Sequence, residues 1–365
     1  MADALRVVLV GAGNIAQKHL RAFRQFPEKL KLVGVCDVNR AAADAVAKEF
    51  ALPAGAVFEH DGAAIAFAER EAQAVDLCTI HDQHHRQTLD ALGRGLHVLL
   101  EKPMAVSMAQ CVEMEAAARQ AGRVLMVAHN QRYKANYRAL RRIIRAGELG
   151  QIRAARAESA MSISSPPSHW VYDGKRAGGG VAISLGLHRL DLLRWFCGDF
   201  KRVISAACRT WDKRFYNGAE DYCMAMLELE GGGVATFFFS YSAYRSPWGE
   251  SFMIYGERGT AHAHPTLVKY NDPVQVASEA RNAGRVIERA REAFTPLELD
   301  TVGLPAGDMI VDELLHFEEC VRTGAEPVSS GREMLGTMAA LFGVYESARR
   351  GAAVEIAEMY ASAGR

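Results

Sequence analysis

The chain lacks net charge: Lys plus Arg and Asp plus Glu each total 43 among 365 residues. Without a field of one sign, neither nucleic acid nor an anionic membrane surface is the expected partner. No apolar run approaches the ~18 residues that span a bilayer, and no basic-then-apolar leader precedes the first strand-like run at Leu5. There is no Cys-x-x-Cys. The seven cysteines, at 36, 78, 111, 197, 208, 223 and 320, are odd in number and scattered. That excludes the usual zinc knot and disulfide framework and leaves reduced core thiols in a cytoplasmic protein as the expectation. Repeats and low-complexity tracts are also missing. What remains is an ordinary composition, 49% hydrophobic and 24% charged, in a chain long enough for one or two cores. A small neutral or weakly charged substrate suits it better than a polyanion.

The first 128 residues alternate strand and helix patterns, which predicts a doubly wound parallel sheet with crossover helices. Strands are expected at 6–10, 30–36, 75–79, 96–101 and 124–128, and helices at 14–25, 40–50, 84–93 and 108–121. Residues 129–365 read as a second, α+β domain. Its expected elements are a helix at 137–146, a strand at 152–161, a Ser/Pro/Gly-rich loop at 164–180 and an apolar helix at 181–196. Strand-like runs at 202–210, 222–230, 233–241 and 251–256, joined by short turns, predict a largely antiparallel, open-faced sheet covered by helices. Patterning is weak over 272–308, where a helix is expected at 280–293; helices at 309–322 and 332–349 close the chain.

Three motifs carry chemistry. Gly11-Ala12-Gly13-Asn14-Ile15-Ala16 follows the strand Val7-Val8-Leu9-Val10 and matches the dinucleotide fingerprint with alanine in the third glycine slot. Gly11 permits the tight turn; Gly13, Asn14 and Ile15 open the helix whose N–H groups receive a pyrophosphate. Asp37, 24 residues beyond Gly13, is placed to accept hydrogen bonds from the adenosine ribose and to repel a 2′-phosphate. NAD is therefore favoured, with NADP kept open by the nearby Arg40. Next, Glu101-Lys102-Pro103 ends a hydrophobic strand where open α/β sheets bind ligands, and a lysine there suits proton transfer when burial or a neighbouring positive charge lowers its pKa. Last, Ser184, His188 and Asp191 fall at i, i+4 and i+7 of an apolar helix, on one face.

Together with Asn130-Gln131-Arg132-Tyr133, these motifs make residues 5–130 and 178–195 resemble the glucose–fructose oxidoreductase/inositol dehydrogenase/MocA (Gfo/Idh/MocA) family of NAD(P)-dependent oxidoreductases. Weaker similarity runs to the C-terminus. The resemblance implies that Lys102 and His188 are the proton-transfer pair, that Lys102 also binds the nicotinamide ribose, and that the Lys102–Pro103 bond is cis. It implies that Asp191 orients the His188 imidazole and that Arg132 and Tyr133 lie near nicotinamide and substrate. Thr79, His81, His84 and Glu101 belong to the implied cofactor site. Trp170, Tyr241 and Tyr244 are candidate sugar-stacking walls, with packing the commoner role for such residues. A homodimer or homotetramer is implied as well.

Two positions depart from the family pattern. Ser184 stands where many members have an aspartate. The loop Thr79-Ile80-His81-Asp82-Gln83-His84 replaces the usual Thr-Pro-Asn-x-x-His and puts His81 in the asparagine position. The local cluster of histidines lacks a distant ligand group, so no metal is expected. The expected reaction is hydride transfer between nicotinamide C4 and a secondary alcohol of a sugar, cyclitol or related polyol. The alternatives are an NAD-dependent glycosidase that works by transient oxidation and elimination, and a non-catalytic NAD(P)-binding regulator.

Overall fold

The computed structural model describes residues 3–244, 250–263 and 273–364. The chain forms two compact units: Met1–Asn130 with Gly303–Leu335, and Gln131–Val302 with Gly336–Arg365.

In the first unit, apolar strands alternate with amphipathic helices. The elements are β1 (Leu5–Val10), α1 (Asn14–Gln25), β2 (Leu30–Cys36), α2 (Arg40–Glu49), β3 (Val57–Phe58), α3 (Asp61–Glu71), β4 (Ala74–Leu77), α4 (His84–Gly93), β5 (His97–Glu101), α5 (Met108–Ala121) and β6 (Leu125–Ala128). The sheet order is β3-β2-β1-β4-β5-β6, all parallel. This is the doubly wound dinucleotide-binding order, with its switch point at β1 and β4. Val8, Leu9, Val75, Leu77, Val98 and Leu100 have no more than 1% exposure, as strands covered on both faces require.

The second unit contains α6 (Ala135–Arg145), β7 (Ile152–Ala160), α7 (Gly174–Ala177), a π-helical turn over Ala182–Gly186, α8 (Leu187–Cys197), β8 (Phe200–Arg209), β9 (Tyr222–Leu229), β10 (Val234–Ser240), β11 (Glu250–Gly256), β12 (Gly259–Ala263), β13 (Gln275–Ser278), α9 (Glu279–Asn282) and β14 (Thr295–Pro296). Then α10 (Met309–Thr323) returns to the first unit, packed on α1, and α11 (Gly331–Arg350), β15 (Val354–Glu355) and α12 (Ile356–Ala363) end the chain. The nine-stranded sheet runs β14-β13-β12-β11-β7-β10-β9-β8-β15. Among the described strands β7 and β10 pair in parallel and the other neighbours pair antiparallel, so the sheet is largely antiparallel, as expected.

Two expected helices differ from the structure. Residues 280–293 form only the single turn of α9 and a 3-10 turn at Ala290–Ala293. Gly284, at φ 75°, turns the chain away after α9, and neither short helix has a buried residue to hold it. Residue 272, at the edge of the weakly patterned stretch, lies outside the described residues. The helix expected at 181–196 begins with a π turn, because Gly186 presses its backbone onto the Phe239 ring; a Cβ there would lie 2.2 Å from that ring.

Candidate active site

The carboxyl ends of β1 and β2 fit a dinucleotide. Gly11 sits at φ 94°, and a Cβ on it would lie 2.4 Å from the Cys78 carbonyl oxygen, so the turn demands glycine. Gly13 is different. Nothing lies within 4 Å of where its Cβ would be, and it caps α1 without a side-chain hydrogen bond. Gly13 and Asn14 are exposed and Ile15 is half-buried, so the first N–H groups of a three-turn helix meet open space. N–H groups so placed can receive an anion. Beside it, Asp37 accepts hydrogen bonds from the Ala12 N–H and the Asn39 N–H, both at 2.7 Å. Each carboxylate oxygen keeps a lone pair for a ribose hydroxyl. Arg40 pairs with Asp44 at 2.8 Å and lies 3.9 Å from Glu59, so its charge is engaged within α2 and toward the β3 end.

Lys102 sits just past the end of β5, half-buried, on a cis peptide to Pro103. Its turn is held from two directions. Upstream, the Glu101 carboxylate accepts from the Lys102 backbone N–H at 3.0 Å and meets Nε2 of His19 at 3.1 Å. Downstream, His84 Nδ1 donates to the Pro103 carbonyl at 2.7 Å, with Nε2 3.2 Å from the Thr79 carbonyl. Burial pulls the His84 pKa down, against the Pro103 and Thr79 carbonyls, which favour a proton on the ring. Burial also lowers the Lys102 ammonium, against the opposing pull of Glu101. The Thr79 hydroxyl donates to Gln87, and His81 is buried with its ring 5.8 Å from that of His84. His85 is drawn away to Glu113 at 2.8 Å.

In the second unit, the glycine-rich entry to α8 is tied down by a buried carboxylate. Glu220 accepts from the N–H groups of Gly180 (2.7 Å) and Ala182 (2.8 Å) and from the Tyr345 hydroxyl (3.1 Å). A Cβ on Gly180 would lie 1.8 Å from the Glu220 carbonyl oxygen, so the approach needs glycine. Ser184 is buried; its hydroxyl donates to the Gly180 carbonyl, and the Tyr241 phenol hydrogen-bonds to it. His188 is half-buried on the first turn of α8. Asp191 takes both hydrogen bonds of a forked Arg132 guanidinium, at 2.8 and 2.6 Å, and one from Thr337 at 2.9 Å. Arg132 also lies over the Trp195 ring at 5.6 Å, and Tyr133 beside it is buried. Trp170 is half-buried and stacked on His169. Tyr241 is buried, stacked on Phe215, whereas Tyr244 is exposed.

The family model for an oxidoreductase family with an NAD-binding Rossmann fold matches residues 5–129, and the model for the C-terminal domain of the same family matches residues 137–262. The chain belongs to the Gfo/Idh/MocA family. A trans-1,2-dihydrobenzene-1,2-diol dehydrogenase of Bos taurus is 31% identical over 262 residues, which cover 71% of this chain and 73% of that one. A 1,5-anhydro-D-fructose reductase of Ensifer adhaerens is 29% identical over 287 residues, 78% and 80% of the two chains. The crystal structure of an oxidoreductase from Agrobacterium radiobacter, in complex with NAD+, L-tartaric acid and magnesium, superposes with a TM-score of 0.80 at 21% identity over 97% of this chain and 99% of that one.

As a family member, the chain carries its cofactor motifs in the first unit and its helix motif in the second. The structure brings Gly11, Gly13, Asn14, Ile15 and Asp37 to one end of the sheet, and gathers Thr79, His84, Glu101 and Lys102 around one turn. Asp191 and Arg132 are joined to each other. Buried ionisable residues that escaped the sequence reading include His19, Asp76, Glu220 and Glu313. The available signal was one or two polar letters in an otherwise apolar run, as in Ala74-Val75-Asp76-Leu77 or Ile310-Val311-Asp312-Glu313-Leu314-Leu315. No described helix is long and apolar enough to cross a membrane.

Proposed function

We propose that the protein reversibly oxidises a secondary alcohol of a sugar, cyclitol or related polyol with NAD. The observation that carries this reading is Lys102: a half-buried amine of lowered pKa, clamped at the carboxyl end of a central strand in a dinucleotide-binding sheet. The names of the diol dehydrogenase and the anhydrofructose reductase support a CH–OH or C=O group on a ring as the reacting centre.

The nicotinamide, when bound, supplies the hydride acceptor. The chain's own residues do the rest. The α1 N-terminus and Gly13 receive the pyrophosphate, and Asp37 accepts from the ribose hydroxyls. His188 removes the hydroxyl proton, and Lys102 donates a hydrogen bond to the oxygen on which charge develops; the two roles can exchange, since both groups carry a transferable proton. Asp191 and Arg132 hold the helix that presents His188. Ser184, engaged with Gly180 and Tyr241, leaves this position uncharged, which favours a neutral polyol over a cationic substrate. A second subunit is the proposed cover for the outer sheet face, where Met224, Met226 and Tyr255 stand exposed.

The test pairs absorbance of NADH, over a panel of sugars, inositols and sugar acids, with two variants. Lys102→Met and His188→Asn should each lower turnover by about 10²–10⁴-fold, the usual contribution of a positioned proton-transfer group. NADH binding, read by fluorescence, should persist in part in Lys102→Met, which loses a contact to the nicotinamide ribose. Undiminished turnover in Lys102→Met would remove the proposed role.

A further inference from the structure

Beneath the Lys102 turn lies a fully buried group that the reaction does not use directly. His19, on α1, has no exposed surface. Its Nδ1 lies 2.9 and 3.1 Å from the two oxygens of Asp76, and its Nε2 lies 3.1 Å from Glu101. Ionised carboxylates only accept hydrogen bonds, so each ring nitrogen must carry a proton. A neutral imidazole leaves one of these contacts as a lone pair against an anion. Burial alone would lower the His19 pKa, but the Asp76 charge and hydrogen bond overcome it and hold the ring well above its ordinary value.

The groups around His19 come from three elements besides its own helix. From β4 and the residue after it come Asp76 and the Cys78 thiol, whose Sγ lies 3.5 Å from Nδ1 and which burial keeps protonated. From β5 comes Glu101, which burial would raise but which His19 and Lys102 bring below the usual carboxylate value. From α10 comes Glu313, with no exposed surface and neither carboxyl oxygen hydrogen-bonded. Burial, followed by the charges of Glu101 and Asp76, pushes its pKa well up, so it sits there neutral. The charge count is then −1 for Asp76, −1 for Glu101, +1 for His19 and 0 for Glu313. Without the imidazolium, the net charge of this cluster goes from −1 to −2, and the Glu101 charge acts on Lys102 uncompensated.

The geometry points to His19 as a permanent imidazolium that positions Lys102, fixing the Glu101 carboxylate against the Lys102 N–H and halving the negative charge that would otherwise hold the ammonium protonated. This rests on the proton-transfer reading of Lys102. One Glu101 oxygen is bound to His19 and the other to the Lys102 backbone, so the imidazole acts on the lysine through one rigid side chain. His19 touches neither substrate nor reacting atoms. It is a positioning residue.

The test uses the full chain without cofactor. Nitrogen-15 histidine spectra, with His19 identified by its loss in His19→Gln, should show both ring nitrogens protonated at pH 8. Lys102 is titrated by carbon-13 reductive methylation, its signal identified by its loss in Lys102→Met. His19→Gln keeps a hydrogen bond but no charge; it should raise the Lys102 pKa by about one unit, as a single charge does at a protein's effective dielectric. The alkaline limb of kcat/KM against pH, where the donating ammonium is lost, should move up with it. Glu101→Gln removes an anion and should move Lys102 in the opposite direction, which keeps the test decisive if His19→Gln fails to fold. Glu313→Gln, replacing a neutral acid with a neutral amide, should leave the Lys102 titration in place. A neutral His19 at pH 8, or a Lys102 titration unmoved by both charge-removing variants, overturns the inference. Full turnover in Lys102→Met would instead overturn the catalytic reading, with the His19 charge and its coupling to Lys102 still decided by the spectra.

Discussion

Arg132 and Asp191 form a two-pronged ion pair with both side chains essentially sealed from solvent, Nε and Nη2 each donating to a separate carboxylate oxygen. The fork geometry satisfies both partners, and Thr337 and the Trp195 ring complete the enclosure. Such a pair is worth little as an absolute gain, since its desolvation offsets its attraction, but losing one partner strands the other charge. Asp191→Asn should therefore destabilise the protein by about 3–5 kcal/mol in urea titrations. The double variant Arg132→Met/Asp191→Leu should recover most of that loss. If the single and double variants are equally unstable, the pair is not the organising interaction of this helix.

Asp37 is the residue proposed to discriminate between the two nicotinamide cofactors. Its carboxylate is fixed by two backbone N–H groups, while Arg40, the nearest candidate for a 2′-phosphate, is held by Asp44 and faces Glu59. Asp37→Ser should weaken NADH by about 10–100-fold, the worth of hydrogen bonds to a charged acceptor, and strengthen NADPH. Fluorescence titrations of both cofactors with both proteins give the four constants required. An unchanged preference for NADH would place discrimination elsewhere.

The alternation of elements was legible because each relies on local periodicity: β2, α1, α4 and α5 run over the residues expected of them. The helix α3, overlooked in the sequence, is rich in alanine, with only Ala64, Ile65 and Ala68 buried, so its apolar stripe is faint. The helix expected at 280–293 was the reverse error, since helix-forming residues without a buried face do not make a stable helix. The site divides in the same way. Gly11, Gly13, Asp37 and Lys102 announce themselves through spacing and strand ends. His19 and Asp76, 57 residues apart, and Glu101, 82 from His19, become a network only when β4 and β5 lie side by side against α1. A lone polar residue in an apolar run tells the reader that a partner exists but not where.

Glu220 should imprint a pH dependence on stability. Burial raises its pKa from the ordinary 4.5 to about 7, against the lowering effect of the backbone N–H groups and Tyr345 that bond to it. Between those two values the native state holds a proton that the unfolded chain has released. Stability is therefore greatest below about pH 4.5 as far as this group is concerned, falls as pH rises toward 7, and levels off above. Glu220→Gln has no proton to hold. The stability advantage of the wild type over Glu220→Gln, followed by urea midpoints from pH 5 to 8, should shrink up to about pH 7 and then stay constant. A constant difference throughout would mean that Glu220 is ionised at its site even at pH 5.

Gly11 and Gly13 occupy one motif and should answer the same substitution differently. At Gly11 a methyl group meets the Cys78 carbonyl at 2.4 Å, and the φ of 94° is one that alanine resists. Both are defects of the folded protein itself, so Gly11→Ala should lower stability by about 1–3 kcal/mol, the usual penalty for forcing extra volume into a packed place. At Gly13 the methyl group points into space with no protein atom within 4 Å, and the backbone, at φ −73°, is comfortable for any residue. Gly13→Ala should leave the melting temperature within a degree or two of wild type, since surface changes of this kind stay within about 0.5 kcal/mol. It should nevertheless weaken NADH by about tenfold or more, because the methyl group stands where a pyrophosphate must touch the helix N–H groups. Melting curves and NADH titrations on the two variants separate these effects. If Gly13→Ala binds NADH as tightly as wild type, the open space above that glycine is not the phosphate seat, and the cofactor approaches α1 by another face.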